Sequence, residues 1–385
     1  MDDIQARYEQ RIEDIKTTAN IKEPKRVPIM AAMTAFPIAY SGSKTRELIN
    51  DGDKLAEKWT SIFDDIYFDC SLSWGTMVRM KMVETLQSKT YFISEDEVTI
   101  QHSENTPMLS EEYPELINDP ITFMANKIFP RKFPALSRPY PENVEALKKA
   151  VLEMAEFARD TGKIIERGKN IYGVAPIVGS KLYPPLDLIF DRLRGFQGLF
   201  GDLRRVPEQV IAACEALYPI YMQVCEKGLT GEYPYAVTML HCPAFLGPKS
   251  FEKFFWPTYK KMLLRVNELG TKTLMFLEGK WEPYYDFLRE LPKASILCYL
   301  EADDIIEAKK KLGDKFAVLG GVPTSMLKYG NKQECIDEAK RIIDACAPGG
   351  GFLFTTERAL ISPADVNVEN LKAVNEFVHA YGAYK

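Results

Sequence analysis

Residues 273–281 read TLMFLEGKW, an apolar run that stops on a glutamate and a glycine. A short apolar run beside a breaker is the pattern of a strand buried on both faces, as in parallel sheets covered by helices. The carboxylate at its end is out of place in such an interior, where an unpaired charge is strongly penalised. The stretch therefore asks for a fold in which strand ends meet something polar.

Working outward, similar runs recur along the chain: VPIMAAM (27–33), DIYFDC (65–70), NIYGVAPIV (170–178), YAVTMLHC (235–242), SILCYLE (295–301), FAVLGGV (316–322) and GFLFTT (351–356). With TKTLMFLEG (271–279) they make about eight strands, most of them separated by a segment of helix length. Residues 250–269 carry a helical apolar stripe that Pro257 kinks. Asn331 and Glu334 are spaced as a capping box, and a last helix runs from near Asn367 to Gly382 with Leu371, Val374 and Val378 inward. Strands alternating with helices predict an α/β fold with a parallel sheet, either a (β/α)8 TIM barrel or an open doubly wound sheet. The barrel is preferred, because MAAMTAFPIAYSGS after the first strand is not a glycine-rich dinucleotide loop. The expected organisation is one barrel domain over 1–385, with an N-terminal helical extension (1–25) and a proline-rich, acidic insertion (88–143). The insertion is expected to carry a hairpin and two short helices and to fold over the barrel mouth as a lid.

The 385 residues are 46% hydrophobic and 27% charged, with a net charge of −5, the composition of an ordinary globular protein. No basic stripe with interleaved aromatics suggests nucleic acid. No run reaches the ~18 apolar residues of a membrane helix, and the charged N-terminus is unlike a signal peptide, so a cytoplasmic protein is expected. The seven cysteines are scattered without C-x-x-C pairs, which favours reduced, buried thiols over a disulfide framework or zinc ribbon.

In a barrel of this kind the active site lies where strands finish. The strand ends bring Asp69, His241, Glu278, Glu301, Glu357 and Arg358 toward one face. Each also has a plain reading: Glu278 could cap a helix or pair with Lys280, Glu357 could pair with Arg358, and Asp69 could bond backbone amides. His102 and His379 read as exposed or structural, and Cys242 and Cys298 as core residues. Phe36, Tyr67, Phe68, Trp74, Trp281 and Phe354 fall at or just past strand ends and could wall an aromatic pocket, or simply pack the core.

The order of several segments resembles the uroporphyrinogen decarboxylase superfamily: VPIMAAMTAFPIAYSG, DIYFDCSLSWG, RLRGFQGLFGDLRRVPEQV, HCPAFLGPKSFEKFFWPTYKK, LGGVP and APGGGFLFTTERALISPADVNVENLKAVNEFV. The resemblance covers most of the chain and implies a distorted (β/α)8 barrel. Asp69 matches the family's strand-end aspartate. Porphyrinogen decarboxylation itself is disfavoured, because the family's arginine pair in the first-strand loop is replaced by MTAFPIAYS, which has no arginine for a substrate's carboxylates.

The other branch it resembles is that of corrinoid-dependent methyltransferases, whose barrels dock a cobalamin-carrying protein. Thiol-activating members hold zinc on an H-x-C strand and a distal cysteine. Here Phe276 and Glu278 stand at the first two positions, and the distal one falls at or beside Glu357, so the thiolate motif is absent and no metal ligand is assigned. A hard-ligand zinc site on Glu278, Glu357 and His241 stays open. The resemblance implies methyl transfer from a small donor, best a phenyl methyl ether, to the Co(I) cobalamin of a partner corrinoid protein. In that reading Glu278, His241, Glu357 and Asp69 are the catalytic candidates, and a carboxyl in an apolar pocket, its pKa raised, protonates the leaving oxygen. Phe36, Trp74, Cys242, Trp281, Phe354 and Arg358 are the substrate-binding candidates. A homodimer is compatible with the sequence. Two other classes stay open: a lyase decarboxylating a smaller acid read by Asp69 and Arg358, and a corrinoid- or tetrapyrrole-binding module without catalysis.

Overall fold

The computed structural model describes residues 2–229 and 235–384. Strands β1 (Met30–Ala31) and β2 (Cys70–Ser71) come first, followed by an antiparallel hairpin, β3 (Tyr91–Ile93) and β4 (Ile100–His102). The parallel strands resume with β5 (Ala175–Pro176), β6 (Val178–Lys181), β7 (Tyr235–Leu240), β8 (Lys272–Leu277), β9 (Ile296–Leu300), β10 (Ala317–Gly320) and β11 (Phe352–Phe354). They form two parallel sheets, ordered β1-β2-β5 and β11-β10-β9-β8-β7-β6. Only Ile177 separates β5 from β6, so one interrupted strand joins the two sheets, and the parallel bridges Ile29–Phe354 and Met33–Leu360 close the ring. Counting β5 and β6 as one, the described strands occupy eight positions of a (β/α)8 barrel.

Two apolar layers follow from the period of two along each strand. Leu274 and Phe276 of β8, Tyr235 and Val237 of β7, and Leu297 and Tyr299 of β9 fill the barrel. Their alternates Met275, Leu277, Ala236, Leu240, Ile296, Cys298 and Leu300 pack outward against the helices. The Phe276 and Tyr299 rings stack across the interior with centroids 4.6 Å apart. From below, the helix Asp2–Ala19 inserts Tyr8, Ile15 and Ala19 into the same inner layer. Among the described residues no helix is long and apolar enough to cross a membrane.

The capping box at Asn331 and Glu334 and the last helix, Val368–Tyr381 between Asn367 and Gly382, form as the residue pattern predicts. Two strands are displaced. The second begins at Cys70, where the run 65–70 was expected to end, because the helical turn Ile62–Asp65 takes up the start of that run. Residues 170–172 finish a helix, and the strand expected at 170–178 lies at 175–181.

The segment 88–143 holds the hairpin and several short helical turns. It is tied to the helical stretch after β6 by a buried network on Asp202. That carboxylate accepts from Arg194 Nε at 2.6 Å, Ser110 Oγ at 2.7 Å and Tyr113 Oη at 3.1 Å. Gly195 (φ +65°) has to be glycine there, since a Cβ would sit 2.4 Å from Thr106 Cγ2. The segment is thereby held beside the C-terminal ends of β6 and β7.

Candidate active site

The alternation that fills the barrel also sets its rim. After Leu274 and Phe276 the next inward position on β8 is Glu278; the corresponding positions are His241 beyond β7, Glu301 beyond β9 and Thr355 beyond β11, with Glu357 two residues further on. On β6, Ser180 turns outward to bond Cys225 O, which leaves Lys181 facing in. The run TLMFLEG therefore ends on a carboxylate because its last inward residue has left the apolar layers and entered a charged one.

Parallel register pairs Leu240 with Leu277, so His241 and Glu278 are neighbours one step beyond the ladder. His241 Nε2 lies 3.3 Å from Glu278 Oε1, and its Nδ1 lies 2.8 Å from Asp191 Oδ2. The His241 side chain is 39% exposed and the two carboxylates are 30% exposed, so all three groups are reached by solvent. Burial opposes a charged ring, but the hydrogen bonds and charges of Asp191 and Glu278 outweigh it and raise His241 to about 11. At neutral pH the ring is an imidazolium donating from both nitrogens.

Asp187 and Asp191 stand four residues apart on the helical stretch after β6 and share a face. Asp187 is buried, its Oδ1 accepts from the Cys242 amide at 2.7 Å, and its Oδ2 has no hydrogen-bond partner among the described residues. Burial first, and then the charge of Asp191, push its pKa well up. The bond to Cys242 fixes the turn that aims His241. Neither aspartate stood out in the sequence; the available signal was the D-x-x-x-D spacing in PPLDLIFD behind a strand.

The remaining rim carboxylates are engaged structurally. Glu301 Oε2 accepts from the Gly279 amide at 2.8 Å and so holds the turn after Glu278. Glu357 Oε1 accepts from Thr324 Oγ1 at 2.8 Å and from its amide at 3.2 Å, at the start of the helix Thr324–Tyr329. Arg358 reaches toward both, its Nε 3.5 Å from Glu357 and 3.9 Å from Glu301, with its side chain 54% exposed.

Of the four catalytic candidates, the structure brings His241 and Glu278 into contact and puts Glu357 at the same end of the barrel, three residues past β11. Asp69 is elsewhere. It precedes β2, so it lies at the N-terminal end of the barrel, paired with Arg11 of the first helix at 3.1 Å and bonded by the Ile29 amide and Tyr67 Oη. The expectation that Glu278 sits in an apolar pocket is also corrected: it is 30% exposed and faces the His241 ring. Phe36, Trp74, Cys242, Trp281 and Phe354 all pack in the apolar layer between barrel and helices. The expected aromatic wall is thus part of the core, while Arg358 is at the rim. Rings exposed beside the mouth are instead Phe196 (45%) and Phe245 (55%), edge to face with centroids 5.2 Å apart. His102 is exposed on the hairpin, and His379 lies against Tyr67 at the far end.

A zinc ion on His241, Glu278 and Glu357 does not fit this arrangement. Glu357 is bound to Thr324, while His241 is bound between Asp191 and Glu278, so the three side chains do not converge on one point. No group of three or more His, Cys, Asp or Glu side chains among the described residues is placed to hold a metal ion.

The model of the uroporphyrinogen decarboxylase family (URO-D) matches residues 127–381. The chain belongs to that family. Among solved structures it is similar to a methyltransferase from Methanosarcina mazei, with 12% identity, a TM-score of 0.65 and coverage of 99% of each chain. At that identity the likeness extends the fold over the whole length. No curated protein matches the chain.

Proposed function

We propose that this member of the uroporphyrinogen decarboxylase family is a methyltransferase of an O-demethylating system. It takes a methyl group from the oxygen of a small donor, a phenyl methyl ether, and passes it to a Co(I) corrinoid carried by a partner protein. The observation that carries the reading is the His241 imidazolium held between Glu278 and Asp191 at the mouth. A solved structure named as a methyltransferase, alike over the full length, supports the class.

The chemistry needs an acid more than a base. Co(I) supplies the electron pair of the new carbon–cobalt bond, and the broken carbon–oxygen bond leaves its pair on oxygen. That oxygen is a poor leaving group as an alkoxide or phenoxide, so a proton delivered as the bond breaks lowers the barrier. His241 Nε2 is the donor, Glu278 and Asp191 hold the ring in place, and the phenol departs neutral. The open mouth, with exposed Phe196 and Phe245 at its edge, suits a flat macrocycle presented by a partner.

The test is to mix the protein with a reduced corrinoid protein and a panel of aromatic methyl ethers, following methylated corrinoid by absorbance and phenol by chromatography. Equal amounts of both are expected, and a panel that releases no phenol overturns the reading.

A further inference from the structure

The helix Glu142–Arg167, which leads from the insertion back to β5, buries one face and leaves the opposite one bare. Ala150 and Ile164 turn inward, and the inner side is tied to Arg79 through Glu153 at 3.2 Å and Asp160 at 3.3 Å. On the outer side Leu147, Val151, Leu152 and Met154 are each between 45% and 66% exposed. Single apolar side chains scattered over a surface are ordinary, but four within two turns of one helix make a patch. Val144, Leu147, Val151, Met154 and Ala158 recur at alternating steps of three and four residues, the repeat by which one helix pairs with another.

This strip is graded in size. Leu147, Val151 and Met154 occupy its first half, and Ala155, Ala158 and Gly162 its second; a Cβ on Gly162 would meet nothing within 4 Å. Laid against an identical helix running the other way, with a two-fold axis level with residue 157, the strip complements itself. Val151 falls beside the partner's Gly162 and Met154 beside the partner's Ala158, so large meets small along the whole length. A parallel pairing would set large on large and leave a gap at the small end. The same axis also matches charge. Lys148 and Glu166 stand 18 residues apart, five full turns, on one edge of the strip and at equal distance from residue 157. Each Lys148 therefore faces the partner's Glu166, twice over by symmetry. In the single chain Lys148 pairs with Glu145 at 2.8 Å, and an exposed pair of that kind is weak enough to exchange. We propose that this strip is a two-fold interface in which the helix Glu142–Arg167 packs antiparallel on the same helix of a second copy of the chain. A partner of different sequence would leave the match between the two halves of the strip without a cause.

The interface stands apart from the methyl-transfer reading and is tested without it. Sedimentation equilibrium on the full chain at about 50 μM should show a reversible dimer, which requires a dissociation constant in the micromolar range or tighter. Gly162→Gln puts bulk into the crossing, yet in the single chain it points into open space and removes a glycine from a helix interior. Its thermal midpoint should therefore hold or rise while dimerisation weakens at least about a hundredfold. Lys148→Glu and Glu166→Lys should each weaken the dimer about tenfold, and the double variant should recover it, because the reversed pair faces itself across the axis. A wild-type protein that stays monomeric, a dimer untouched by Gly162→Gln, or a double variant as weak as the single ones would each overturn the interface. A monomer whose binding to a corrinoid protein falls in Gly162→Gln would also overturn it and assign the strip to that partner.

Discussion

His241 donates to Asp191 across 2.8 Å and to Glu278 across 3.3 Å, so a single ring ties the helical stretch after β6 to the end of β8. Its raised pKa makes a definite pH statement. The folded value, about 11, lies above the ordinary 6.5. The stabilisation from this group is therefore complete below about pH 6.5 and is lost as pH rises through about 11. Nitrogen-15 NMR of the imidazole should show both nitrogens protonated at pH 8, and a titration midpoint near 6.5 would refute the assignment.

Removing one carboxylate loosens the hold on the proton donor and lowers the protonated share of the ring without unfolding the barrel. Glu278→Gln keeps the shape of the side chain but takes away a charge, so His241 should titrate at lower pH. Demethylation should fall by about 10²–10⁴-fold, the usual worth of a positioned acid–base group. His241→Gln should do the same and lose the pH dependence altogether. Wild-type turnover in a folded Glu278→Gln protein contradicts the proposed chemistry.

Asp69 and Arg11 give the contrasting case. Their side chains are 5% and 7% exposed, and the aspartate also serves the Ile29 amide and Tyr67. Removing one partner of such a buried pair strands the other charge, at about 3–5 kcal/mol. Arg11→Leu should lower stability to urea by that order. Asp69→Asn should cost less because it can still bond, and the turnover of folded protein should not change in either.

The turn after Glu278 depends on glycine. Gly279 has φ +74°, and a Cβ there would stand 3.0 Å from the Ala244 Cβ in the loop after β7. Gly279→Ala is expected to cost about 1–2 kcal/mol through the left-handed backbone, and to displace Glu278 from His241. Activity should fall more than stability does; a protein destabilised but fully active would show that the turn does not aim the carboxylate.

The sequence was most legible where period and punctuation act alone. Each apolar run between breakers became a strand, and TLMFLEG read correctly as buried on both faces, because that signal is local. What failed was register. The run 65–70 was counted as ending where its strand in fact begins, and that single error moved Asp69 from one end of the barrel to the other. The aromatic residues misled for a similar reason: proximity to a strand end says nothing about which face a ring takes, and Trp281 and Phe354 take the helical side. Asp187 and Asp191 were passed over because they lie on the helical stretch after β6, and only the tertiary fold sets them against His241 and Cys242.

The insertion should be acid-sensitive through a different pair. Glu112, 5% exposed, accepts from Arg131 at 2.7 and 2.8 Å and from the Leu109 amide. The Arg131 hydrogen bond first, opposed by burial and helped by the backbone, depresses Glu112 from 4.5 to about 2. A depressed carboxylate stabilises fully above its unfolded value, so this contribution is present above about pH 4.5 and is lost as pH falls through about 2. The pair braces the chain between residues 109 and 131. Hydrogen exchange across 104–137 should therefore quicken between pH 4.5 and 2 in the wild type. In Arg131→Met, Glu112 keeps only Lys127, 3.5 Å away, so the same quickening should begin at higher pH; identical acid profiles in the two proteins would show that the pair does not hold the insertion in place.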